Sequence, residues 1–168
     1  TGKHNSEDRV HLIDWDSGTV KQVTRCTFTS ETLAGISAVD RGTVLAVTLQ
    51  EIQEGPLGPD AAGKLLIDGG LIWAILLHID AMSLLQALAS DPINPPAEKA
   101  FLLPLLWLAE RVKLQILKDI IWVDTRDMKA DALTKGGLPR DALQEVAAGS
   151  CSLQHKTESL NALRQKRN

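Results

Sequence analysis

Hydrophobic positions along this chain change period several times, and each change marks an element. Val10-His11-Leu12-Ile13-Asp14-Trp15 alternates as a strand does, Asp16-Ser17-Gly18 supplies a turn, and 19–28 resumes with β-branched residues. Residues 10–28 therefore predict a β-hairpin, preceded by a polar, flexible N-terminus over 1–9. Thr29 or Ser30 can cap a helix in which Leu33, Ile36 and Val39 recur at helical spacing, and the pattern runs to about Ile52. Gly35 and Gly42 weaken it by about 1 kcal/mol each relative to Ala. Gly55-Pro56-Leu57-Gly58-Pro59 reads as a loop.

The run 71–79 is continuously apolar without alternation, which predicts a strand buried on both faces. A helix is expected over 81–89, a break over 91–96, and an apolar helix over 97–117 that Pro104 kinks or restarts. Ile120-Ile121-Trp122-Val123 is a second short buried strand. Ala130-Asp131-Ala132-Leu133-Thr134-Lys135 follows as a helical turn closed by Gly136-Gly137. An amphipathic stretch over 138–146 leads to a polar tail over 154–168, basic near its end and read as disordered or loosely helical. The order is hairpin, helix, strand, helix, helix, strand, helix. Such alternation predicts an α/β fold with a mixed sheet flanked by helices.

Composition narrows this further. With 168 residues, 44% hydrophobic and 23% charged, the chain can bury a core without disulfide staples. Cys26 and Cys151 form no metal-ligand pattern and read as reduced thiols of an intracellular protein. The longest apolar run is far shorter than the ~18 residues that span a bilayer. The start, Thr1-Gly2-Lys3-His4, carries no signal pattern and no initiator Met, so a fragment is expected. A net charge of −3 and a pI of about 5.8 exclude a bulk electrostatic nucleic-acid binder. They do not exclude a nuclease, whose metal-binding carboxylates offset its basic residues.

Three carboxylates fall at element ends, where ligand sites collect in open α/β sheets. Glu31 opens the long helix, Asp80 ends the strand over 71–79, and Asp131 sits on the helical turn after the last strand. Mg²⁺ favours carboxylate oxygens, and two ions about 4 Å apart can activate water against a phosphodiester. Each acid also has a plain structural reading. Glu31 can favour the helix dipole, Asp80 can cap the next helix, and Asp131 can be a solvated surface acid.

Several segments resemble the RNase H-like domain of copia-type retrotransposon polyproteins. Trp15-Asp16-Ser17, Lys21, Val23-Thr24-Arg25-Cys26-Thr27 and Ser30-Glu31-Thr32-Leu33-Ala34 are similar to that family's hairpin and first helix. Leu77-His78-Ile79-Asp80 with Ser83-Leu84 resembles its second acidic strand, and Glu98-Lys99 its connecting helix. Ile121-Trp122-Val123-Asp124-Thr125 through Ala130-Asp131-Ala132-Leu133-Thr134-Lys135 is close to its W-V-P-T…A-D-x-L-T-K ending, the most specific of these matches.

The resemblance covers roughly 10–153. It implies an RNase H-like domain over that range and hydrolysis, dependent on Mg²⁺ (or Mn²⁺), of the RNA strand of RNA–DNA hybrids. It implies a reverse transcriptase domain of the same polyprotein as partner, no membrane, and an intracellular location, in cytoplasmic virus-like particles or the nucleus. Glu31, Asp80 and Asp131 match the family's second, third and fourth metal-binding acids. Lys21, Arg25 and Lys135 are expected phosphate contacts, with a solvated-surface reading beside each.

The chain also departs from the pattern. The family's first acid lies on a strand before the hairpin, and no match to it is found, so the fold is expected to be N-terminally truncated and the nuclease incomplete. Ala81 stands where Ser is usual, Asp124 where Pro is usual, and Pro104 interrupts a family helix. The alternative is a non-catalytic remnant acting as a nucleic-acid-binding or connection module. A third reading is an α/β interaction domain with coincidental acids. Trp15, Trp73, Trp107 and Trp122 are expected in the core.

Overall fold

The computed structural model describes residues 10–14, 27–134 and 141–167. In chain order its elements are α1 (Thr27–Glu54), α2 (Pro59–Asp68), β1 (Ile75–Ile79), α3 (Met82–Leu88), a 3-10 turn (Lys99–Phe101), α4 (Leu102–Lys113) and β2 (Leu117–Val123). A second 3-10 turn (Thr125–Asp127), α5 (Asp131–Thr134), α6 (Asp141–Ala147), β3 (Thr157–Ser159) and α7 (Leu160–Arg167) follow. The chain is mixed α/β and divides into two compact units, one of residues 20–122 with 158–168, the other of 1–19 with 123–157.

In the larger unit β1 and β2 run parallel, with Leu77 beside Ile120 and Ile79 beside Trp122, and β2 lies between β1 and β3. A parallel pair needs a long crossover, which α3 and α4 provide. Leu84, Leu85 and Leu88 of α3 and Leu105, Leu108 and Val112 of α4 fall at 1, 3 and 4 residue steps. They pack with Leu77, Ile79, Leu117 and Ile120 into one core. Pro104 is the third residue of α4, inside the first turn, where its missing N–H costs no helical bond. It restarts the helix rather than kinking it.

α1 buries Thr32, Gly35, Val39, Ala46 and Gln50 along one face, and lies on β1, α3 and α4. Thr32, Thr43 and Thr48 turn their hydroxyls back onto the carbonyls of Phe28, Val39 and Val44, which accommodates these residues within the helix. By length and composition α1 could also cross a bilayer. Of its apolar window 22% is buried in this fold, with Val39 and Ala46 covered while Val44 and Ile52 are exposed. α2 was not anticipated beyond the loop at 55–59. Its signals are Pro59 at the helix start and Gly69 at the end, where φ is +82° and an added Cβ would sit 2.2 Å from the Leu114 carbonyl oxygen.

Four expectations need correction. Residues 10–14 form no strand, and Thr27 and Phe28 are already helical; the remainder of the expected hairpin, 15–26, lies outside the described residues. Glu31 therefore falls in the second turn of α1 rather than at its opening. Only 75–79 of the run 71–79 is strand, and it is buried on one face: Leu77 and Ile79 point into the core, while Leu76 and His78 are exposed. The tail is a structural part of the sheet. β3 adds to β2, and Leu160 at the head of α7 is fully buried among the core leucines. Asp119 explains the attachment: its carboxylate accepts from the backbone N–H of Asn161, 3.2 Å away, and from the Ser159 hydroxyl. Asn161 donates in turn to the Lys118 carbonyl at 3.0 Å, and Arg164 to that of Leu88 at 3.0 Å.

The smaller unit is built from short pieces. Val10 donates its N–H to the Gly149 carbonyl at 3.0 Å. The second 3-10 turn begins at Asp124, whose side chain caps it by accepting from Arg126 N–H. The terminating glycines 136 and 137 lie outside the described residues.

Candidate functional site

Asp80 directly follows the carboxyl end of β1 and is half-buried. Its position is held through its main chain, because Trp122 Nε1 donates to the Asp80 carbonyl across 2.9 Å. The helix that follows is capped at Ala81, with no side-chain hydrogen bond, so Asp80 does not serve as the cap. Its carboxylate thus lies at the end of a parallel strand pair. Trp122 packs partly on the core, as expected, whereas Trp73 is 45% exposed and does not. Trp107 is half-buried, with the Arg111 guanidinium 4.8 Å from its ring centroid, and Trp15 lies outside the described residues.

Glu31 is half-buried on α1 and is engaged in polar interactions of its own. Two residues before it, Thr29 Oγ1 donates to Glu98 Oε2 at 3.1 Å, which ties the start of α1 to the segment before α4. Glu98 was visible in the sequence only as part of a connecting segment. Glu31 and Asp80 belong to the larger unit and Asp131 to the smaller. Asp131 is the first residue of α5, where a carboxylate complements the helix dipole, and it too has polar partners. Among the described residues no three His, Cys, Asp or Glu side chains form a group that could hold a metal ion. Lys21, Arg25 and Lys135 lie outside the described residues, as does Cys26.

Sequence reasoning missed a second set of carboxylates in the smaller unit. Asp127 is 5% exposed, and its two oxygens accept from the His155 backbone N–H at 2.7 Å and from the His155 ring Nδ1 at 3.0 Å. Burial pushes the Asp127 pKa up, but the His155 hydrogen bonds, with help from the Gln154 N–H, outweigh it and hold the group below its ordinary value. Glu145 accepts from Lys129 Nζ at 2.8 Å, Ser152 Oγ at 2.7 Å and Ser152 N–H at 2.9 Å, and its pKa is lowered chiefly by Lys129. Asp124 takes a two-pronged contact from the Arg126 guanidinium at 2.7 Å per bond, which holds it well below the usual carboxylate range. The one legible signal was Asp124-Thr125-Arg126-Asp127, dense in charge just after a buried strand.

The larger unit also carries an open groove of 1320 Å³ between the 89–94 loop, α4 and α7. Leu103, Leu106, Trp107, Glu110, Lys113 and Arg164 are among its lining residues; neither Glu31 nor Asp80 is.

In comparisons with known proteins, the chain matches no family model, no curated protein and no solved structure.

Proposed function

We propose that this chain is part of an RNase H-like domain of the copia-type retrotransposon kind, and that it serves a ribonuclease acting on RNA–DNA hybrids. The observation that carries the reading is Asp80 at the carboxyl end of β1, within a parallel pair whose second strand leads on to the Asp131 helical turn. Ligands of open α/β sheets gather at such strand ends. Glu31, Asp80 and Asp131 are the proposed catalytic, metal-binding acids, with Mg²⁺ or Mn²⁺ as the cofactor and a reverse transcriptase domain as the partner. The reading assigns it a contribution to the site rather than a complete one, in an intracellular particle or the nucleus.

Binding and cleavage of a labelled hybrid test this directly. The chain should bind an RNA–DNA hybrid several-fold more tightly than a DNA duplex of the same sequence, at matched salt. Cleavage in Mg²⁺ or Mn²⁺ should be slow at best and should vanish in Asp80→Asn and Asp131→Asn. Equal affinity for both duplexes, or cleavage indifferent to both substitutions, would overturn the proposal.

A further inference from the structure

We draw no further inference here: the strongest candidate, the open groove between the 89–94 loop, α4 and α7, sets the acids Asp91 and Glu110 beside the bases Lys113 and Arg164 along an apolar wall, so its charge selects no class of occupant and nothing in the structure shows what fills it.

Discussion

In the larger unit neighbouring elements meet through side chains with no exposed surface: Leu84, Leu85 and Leu88 from α3, Leu105 and Leu108 from α4, Leu117 and Ile120 from β2, and Leu160 from α7. In the smaller unit the joining is done by carboxylates, with Asp127 and Glu145 each gathering backbone and side-chain donors from 152–155. The two chemistries respond to different disturbances. Apolar burial contributes about 25 cal/mol per Å² whatever the pH, and its loss is shared by every element in the core. A carboxylate clamp is worth about 1–3 kcal/mol per charged hydrogen bond, holds only what it touches, and depends on staying ionised. The smaller unit should therefore open locally while the core remains intact.

Truncating a core leucine should have the largest effect. Leu108→Ala, at a residue with no exposed surface, should cost about 2–5 kcal/mol by chemical denaturation and speed amide exchange throughout the larger unit. Asp127→Ala should cost less, about 1–3 kcal/mol, because it strands the His155 backbone N–H. Its mark is local: exchange should rise at 152–155 and stay unchanged at 84–88. Equal effects in both places would mean that the clamp and the core unfold together.

Acid should separate the units without mutation. Asp127 and Glu145 both have folded-state pKa values below their ordinary 3.8 and 4.5. Their stabilisation is therefore fully present above those ordinary values and is lost as pH falls through the lower, folded ones. Protection factors at Ser152 and His155 should drop in that acid range before those of Ile120 or Leu108 do. Simultaneous loss would count against a clamp that acts on its own.

Two smaller effects sharpen the contrast. Gly42→Ala should stabilise by roughly 0.5–1 kcal/mol, since helix propensity improves and the added Cβ would stand 3.5 Å from Ile75 Cγ2, an ordinary contact. A thermal melt showing destabilisation would mean α1 packs on β1 more tightly than this distance indicates. Arg126→Ala should have no measurable effect on stability, because the guanidinium is 68% exposed and its partner is only two residues away.

Much of the larger unit was legible along the chain because its elements announce themselves locally. The helical spacing of Leu33, Ile36 and Val39, the break at 91–96, and the apolar run ending in Val123 all coincide with observed boundaries to within a few residues. The position of Asp80 at a strand end was legible for the same reason. What could not be read is how many sides of a strand are covered. The run 71–79 has the composition of a fully buried strand, yet Leu76 and His78 face outward, because burial depends on what packs there and not on the strand's own residues.

The carboxylate clamps show the same limit more sharply. Asp127 and His155 lie 28 residues apart, and nothing local shows that Asp127 is buried while its neighbours Asp124 and Asp131 are only half-buried. The polar tail reads as solvated because Thr157, Glu158 and Ser159 carry no apolar pattern, yet Asp119 and the buried Leu160 draw it onto the sheet. The sequence by itself determined the main helices and the two parallel strands of the larger unit, since backbone preference and side-chain period act over a few neighbouring residues. It did not determine α2, β3 or the non-strand course of 10–14. Tertiary structure alone decided which face of β1 packs into the core and which acids are buried with a partner. Those outcomes depend on distant segments meeting, and a buried charge is tolerated only where its partner has already been brought to it.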